Sequence, residues 1–298
     1  MGRPPGRRGQ GCVLGLWLEP MSPTFKGYVL PGPTPPGIPE GDYPEGTSLD
    51  SISGQWKLFQ YKKGHRFSTD DVLVAWYGTT NAPTARRVLD LGSGIGSVGM
   101  VAAWRLPGAR FVTVEAQDIS IALARKSAAF NGLTDRYEMR LGDFRDPAVL
   151  KEDETFDLVL GSPPYFPLDQ GMHGDHPQKI ACRFEVRGDI ADYCATAVKH
   201  LAPAGWFSCV FPVLPAHQLE RVLDAAKKAG LAIVRRRDVA LKEGEPPLLG
   251  LFAMTRASDL PESFREKTWV EPVLTIRRVD GTVHPEYSAI KLSFGFPP

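Results

Sequence analysis

From Arg86 onward, short apolar runs alternate with stretches of helical spacing. RRVLDLG (86–92) predicts a strand, and SVGMVAAWRL (97–106) a helix ending near Pro107-Gly108. RFVTVEA (110–116) is β-branched and predicts a second strand. ISIALARKSAAFNG (119–132) predicts an amphipathic helix stopped by Asn131-Gly132. YEMRLGD (137–143) and FDLVLG (156–161) read as a third and a fourth strand. DIADYCATAVKHLAPAG (189–205) reads as a helix ending at Pro-Ala-Gly, followed by a fifth strand in WFSCVFP (206–212). A further helix lies in LPAHQLERVLDAAKKAG (214–230), then a sixth strand in LAIVRRRDVA (231–240) and a seventh in LLGLFAMTR (248–256). Strands that are apolar throughout and alternate with helices predict an α/β fold, with a parallel sheet covered on both faces.

The first 47 residues break this pattern. They are crowded with Gly and Pro, culminating in LPGPTPPGIPEGDYPEG (30–46), which predicts an extended or disordered leader. Folding signals begin near Leu49, so the expected division is an extension over 1–47 and one domain over 48–298. Met21 is an alternative start, and the basic, briefly apolar opening lacks the cleavage site of a signal peptide.

Composition narrows the classes little. The 298 residues are 43% apolar, enough for one substantial core, and no run is long enough to span a bilayer. The net charge of +1 leaves no global polycation, so any nucleic-acid surface must be local. Cys12, Cys182, Cys194 and Cys209 form neither a C-x-x-C pair nor a zinc spacing; they read as reduced thiols in a cytosol-like compartment. His173 and His176 stand too far from other ligands to predict a metal site.

Ligands on such sheets bind at the carboxyl ends of strands, near the switch point. After the first strand stands Val88-Leu-Asp90-Leu-Gly92-Ser93-Gly94-Ile-Gly96. Its glycines let the backbone approach a ligand closely. Their spacing is tighter than a dinucleotide fingerprint, and Asp90 ahead of them would repel a pyrophosphate. A cationic donor fits better, which points to S-adenosylmethionine with its sulfonium and ammonium charges. Glu115 ends the second strand where an acid can take both ribose hydroxyls, with Ala116 and Gln117 bordering the adenine. After the third strand, Asp143 is a candidate acceptor for the adenine amino group, with Phe144 against the ring; an Asx turn explains Asp143 equally well.

The fourth strand ends at Ser162-Pro163-Pro164-Tyr165-Phe166. Two prolines remove two backbone donors and fix φ twice, so the corner is rigid. The series DLGSGIGS, VEAQ, GDF and SPPY resembles the class I methyltransferases that modify exocyclic amino nitrogens. That resemblance implies a Rossmann-like, seven-stranded methyltransferase sheet with helices on both faces. It implies that Ser162 and the Pro163 carbonyl orient the amine, that Pro164 stiffens the corner, that Tyr165 stacks on the base and that Phe166 walls the pocket. Ser162, facing the glycine turn, also counts among the cofactor contacts.

The stretch Arg66-Phe67-Ser68-Thr69-Asp70-Asp71-Val-Leu-Val-Ala-Trp76 is similar to the upstream segment of the bacterial tRNA1(Val) adenine-37 N6-methyltransferase family, which closes over the cofactor. The element 183–193 and the tail 274–287 match that family as well. The implied reaction is methylation of adenine N6 in tRNA by a cytoplasmic enzyme, without membrane or metal, with Arg66 on the substrate side. That family carries Asn where this chain has Ser162, and Ser at this place occurs in cytosine-N4 methyltransferases. Cytosine N4, a protein glutamine amide and a catalytically silent binding module therefore stay open as alternatives. The arginines at 235–237, 277 and 278 read either as a phosphate-contacting edge or as a solvated face.

Overall fold

The structure is a computed structural model that describes residues 24–25, 27–167, 176, 178, 180, 182 and 184–297. Residues 1–23, with Cys12 and Met21, and His173 lie outside the described residues.

The part of the Gly/Pro-rich leader that is described forms a two-residue pairing of β1 (Thr24–Phe25) with β2 (Tyr28–Val29), then extended chain. Leu30 is buried, the Gly37 amide donates to the Phe130 carbonyl, and Gln55 holds the Gly32 carbonyl at 2.8 Å. A hairpin follows, β3 (Thr47–Ser53) with β4 (Trp56–Tyr61), and packs against the helices Ser97–Arg105 and Asp118–Phe130, its Phe59 amide donating to the Ser127 hydroxyl.

The remaining strands are β5 (Arg87–Leu91), β6 (Arg110–Glu115), β7 (Tyr137–Leu141), β8 (Phe156–Gly161), β9 (Leu201–Pro212), β10 (Leu231–Lys242), β11 (Leu249–Arg256) and β12 (Trp269–Arg277). They form one sheet in the order β12-β10-β11-β9-β8-β5-β6-β7. The helices are α1 (Thr69–Asn81), α2 (Ser97–Arg105), α3 (Asp118–Phe130), α4 (Ile190–His200), α5 (Ala216–Ala229) and α6 (Pro285–Leu292). The side chains of α1, α2, α3 and α6 join one core and those of α4 and α5 the other, so helices cover both faces. Along β8 the two faces alternate: Leu158 and Leu160 point to the first core, Val159 to the second.

All seven expected strands are in this sheet, and three features differ from expectation. The sheet is mixed, since β11 runs antiparallel to both β10 and β9. An eighth strand, β12, pairs in parallel with β10 at the edge. Pro272 within WVEPVLTIR masked it, because proline is tolerated in strands mainly at edges such as this one. The fifth strand also begins at Leu201 rather than Trp206; its register slips between the pairs Phe156–Leu201 and Leu158–Trp206, which absorbs Pro203-Ala204-Gly205.

The order of the sheet places the site. The chain passes β5, β6, β7 in one direction and returns to β8 on the other side of β5. The switch point thus lies between β5 and β8, whose C-terminal residues Leu91 and Gly161 are register partners.

Candidate active site

A cavity of about 710 Å³ opens over these strand ends. Every residue that the sequence offered as a cofactor, amine or substrate contact lines it except Gly96. Gly96 stands behind it as the N-cap of α2, its carbonyl accepting from the Met100 amide at 3.0 Å and the Tyr137 hydroxyl at 3.3 Å.

Gly92 and Gly94 both take positive φ, +61° and +55°. A Cβ on Gly92 would overlap the Tyr193 hydroxyl, whereas one on Gly94 would meet nothing and project into open space. Gly94 thus offers bare backbone to a ligand. The turn is pinned from β6: the Glu115 carboxylate accepts from the Gly94 amide at 2.8 Å and, through its other oxygen, from the Gln117 amide at 2.7 Å. Asp90 is buried, and one of its carboxylate oxygens accepts from the Gly99 amide at 2.9 Å.

Besides Asp143, four carboxylates line the cavity: Asp70, Asp71, Asp90 and Glu115. Among the described residues none of them is ion-paired. Burial raises each above the usual carboxylate range, Asp71 to about 7 and Asp90 well above. The negative charge of Asp70 adds to the rise at Asp71, while the Gln117 and Gly94 amides and the Arg187 charge pull Glu115 partly back. Asp71 sits in the first turn of α1 and accepts from the Ser68 amide at 2.7 Å and from the Ser97 side chain. Buried carboxylates lacking a counter-cation are costly, and a cationic ligand relieves that cost. The donor set therefore fits a sulfonium cofactor with an ammonium tail.

Asp143 faces the cavity but is engaged by its neighbour. Arg145 grips both of its oxygens, at 2.9 and 2.6 Å, and holds its pKa below the usual range. The Arg145 amide also donates to Asp143, which is the Asx turn the sequence allowed. Phe144 lies edge-on to Tyr193, ring centres 4.7 Å apart.

The proline corner stands opposite the glycine turn. Pro163 is buried, and Ser162, Pro164 and Tyr165 are half-buried. Tyr165 is held at three points. Its hydroxyl donates to Asp70 at 2.9 Å, its carbonyl accepts from Gln218 at 3.1 Å, and its ring lies edge-on to Phe211. Phe166 is exposed on the rim and pairs with Phe184, ring centres 5.8 Å apart.

Lys62, His65 and Arg66 also reach the rim. The Arg66 guanidinium pairs with Asp50 at 2.9 Å and Ser48 at 3.1 Å, which ties the segment before α1 to the hairpin. Gln178 fastens the same segment to α3, accepting from the His65 amide and donating to Ser120. The arginines of β10 form neither of the expected surfaces. Arg235 pairs with Glu271, Arg236 with Asp238 and Arg237 with Glu286, so their charges are spent within the sheet edge. Among the described residues no group of three or more His, Cys, Asp or Glu is arranged to hold a metal, and no helix is long and apolar enough to cross a membrane.

Sequence reasoning missed Asp71, Tyr193 and Gln178. The Ser68-x-x-Asp71 spacing signalled the first as a capping box. Tyr193 reads as core within an apolar helix stripe, and a lone Gln carries no signal.

Residues 71–181 match the methyltransferase small domain family. The cavity at the switch point lies over the strands of that matched segment, where an S-adenosylmethionine-dependent methyltransferase would hold its methyl donor. The chain is similar to curated tRNA1(Val) (adenine(37)-N6)-methyltransferases. That of Porphyromonas gingivalis strain W83 is 31% identical over 162 residues, covering 53% of this chain and 63% of the relative. That of Shewanella amazonensis is 28% identical over 232 residues, covering 78% and 92%. The chain thus spans less than two thirds of the Porphyromonas gingivalis relative's length. Among solved structures, a predicted O-methyltransferase from Agrobacterium tumefaciens shares the fold with a TM-score of 0.57 at 18% identity, covering 77% of this chain and 98% of its own.

Proposed function

We propose that the chain transfers a methyl group from S-adenosylmethionine to the exocyclic N6 of an adenine in tRNA. The observation that carries this reading is the placement of Gly92–Gly94 and Ser162–Tyr165 on neighbouring strand tips around one cavity. When bound, the cofactor supplies an electrophilic methyl carbon and departs as a neutral thioether.

The chain's own residues do the rest. Asp90 and Glu115, with the bare Gly94 backbone, hold the cationic donor, bordered by Ser93, Ala116, Gln117, Asp143 and Phe144. Ser162 and the Pro163 carbonyl accept the two amino hydrogens, which aims the nitrogen lone pair away from them and into the cavity. The Tyr165 ring offers a face to the base, a contact worth roughly 1–3 kcal/mol. Pro163 and Pro164 keep these groups from drifting, and near-attack placement is a large share of such catalysis. The methylated nitrogen becomes cationic and then releases its proton readily, so a strong base is not required. Arg66, Lys62 and Phe166 at the rim face the remainder of the nucleic acid. A tRNA substrate implies a cytoplasmic enzyme, with 48–298 as the working domain.

The test incubates the protein with tritiated S-adenosylmethionine and separate pools of tRNA, DNA and protein, followed by nucleoside analysis. The expected product is N6-methyladenosine in tRNA. Label confined to protein, or N4-methylcytosine in place of N6-methyladenosine, overturns the reading in favour of an amide or a cytosine substrate. Absence of cofactor binding by calorimetry identifies a silent module.

A further inference from the structure

Tyr193 carries a hydroxyl that the fold does not use. It stands in the opening turn of α4, whose start is fixed by Asp189. That carboxylate accepts from the Ala191 and Asp192 amides at 2.9 and 3.1 Å, and the Asp189 carbonyl accepts from the Tyr193 amide at 3.2 Å. With Ile190, Cys194 and Ala197, Tyr193 forms an apolar stripe at helical spacing that joins the second core. Its ring is held at the two strand tips of the switch point. A Cβ on Gly161 would come within 2.7 Å of Cδ1, and the hydroxyl oxygen occupies the place a Cβ on Gly92 would need.

The residue is only 4% exposed. Among the described residues its hydroxyl nevertheless has no hydrogen-bond partner. The oxygen is not sealed either. The fully enclosed polar side-chain atoms without partners are those of Ser53, Gln55, Trp56 and Ser208, whereas Tyr193 lines the cavity. A phenylalanine would pack equally well here, and a polar group taken out of bulk water without a bond is costly. Burial first, and then the charges of Glu115 and Asp90, hold the phenol above its ordinary range, so the oxygen keeps its hydrogen. A donor is thus presented at the strand tips, open to whatever fills the cavity.

We propose that the Tyr193 hydroxyl donates a hydrogen bond to the nucleoside half of the bound cofactor, a contact supplied from α4 in addition to those of Glu115 and the glycine turn. The surroundings select that half. Glu115 and Phe144 are the groups assigned above to the ribose and the adenine, and the Phe144 ring centre is 4.7 Å from that of Tyr193. Ribose oxygens and adenine ring nitrogens accept hydrogen bonds. The tail's ammonium offers only donors, and its carboxylate would be repelled by Asp90 and Glu115.

This inference rests on the cofactor assignment, and the test separates the two. Tyr193→Phe keeps the ring and removes an oxygen that no described residue uses. The melting temperature of the unliganded protein should therefore stay within about 2 °C. Calorimetry with S-adenosylhomocysteine should show affinity falling by about fivefold to tenfold. Methylthioadenosine keeps the nucleoside and lacks the amino-acid tail. Its affinity, measured by competition, should fall by the same factor within about twofold. A loss with S-adenosylhomocysteine that methylthioadenosine does not share assigns the hydroxyl to the tail and overturns the proposal. Unchanged affinity for both ligands, with or without a fall in melting temperature, makes Tyr193 a packing residue and overturns it as well. Failure of the wild-type protein to bind S-adenosylhomocysteine overturns the cofactor assignment instead.

Discussion

Leu91 and Gly161 are paired in register at the ends of β5 and β8. One residue beyond Leu91 the chain enters the glycine turn, and one residue beyond Gly161 it enters the proline corner. Two segments 70 residues apart in sequence by the numbering of Gly92 and Ser162 therefore face one cavity. Neither needs a mobile loop to reach the other, because parallel strands deliver both at the same height.

Gly94→Ala tests the turn. A Cβ there meets no atom, so the cost to folding is confined to the positive φ, about 1 kcal/mol. The methyl group nonetheless projects into the ligand's space. Thermal melting should show a small loss, while calorimetry with S-adenosylhomocysteine shows affinity falling by at least tenfold.

Glu115→Gln tests the acceptor at the end of β6. The two carboxylate oxygens serve two backbone amides, and glutamine can serve only one while turning its own donors on the other. The expected loss is about 1–3 kcal/mol of stability with weaker cofactor binding. Urea titration and calorimetry measure the two separately. Unchanged affinity would argue against a role at the cofactor.

Asp71 sets a pH dependence. Its folded-state pKa is raised to about 7 by burial, against an ordinary 3.8. Between those values the unfolded chain has lost the proton and the folded chain keeps it, so stability falls as pH rises from about 4 to about 7. The slope from this group approaches about 1.4 kcal/mol per pH unit in that window and vanishes above it. Asp71→Asn should remove that share of the slope in urea titrations of the cofactor-free protein at pH 5 and pH 7. Equal slopes in the two proteins would refute the assignment.

Arg237→Ala distinguishes a structural edge from a nucleic-acid surface. Arg237 is 8% exposed, pairs with Glu286 and lies over the Trp76 ring. Its loss should cost about 1–2 kcal/mol through the lost stacking and the Pro272 carbonyl left without its donor, since the exposed Glu286 is taken up by water. RNA affinity measured below the melting transition should stay within about twofold. A large loss of affinity without a loss of stability would restore the phosphate-contacting reading.

The sequence by itself determined what local pattern can carry. Apolar runs such as FDLVLG and the spacing of ISIALARKSAAF set strands and helices, because period and turn residues are local properties. Asp90, Gly94, Glu115 and Ser162 were legible as candidates because each stands at the end of a strand or just beyond it, and strand ends in such folds border ligands. Tertiary structure decided the rest. Pro272 hid β12 until pairing with β10 placed it at an edge, and the bond from the Tyr137 hydroxyl to the Gly96 carbonyl lies outside any local window. The arginines of β10 looked like a surface until Glu271, Asp238 and Glu286 were brought beside them. The bond from Tyr165 to Asp70 joins residues 95 positions apart. Burial, ion pairing and the direction of a hydroxyl hydrogen depend on which neighbours the fold supplies, and a linear pattern does not contain those neighbours.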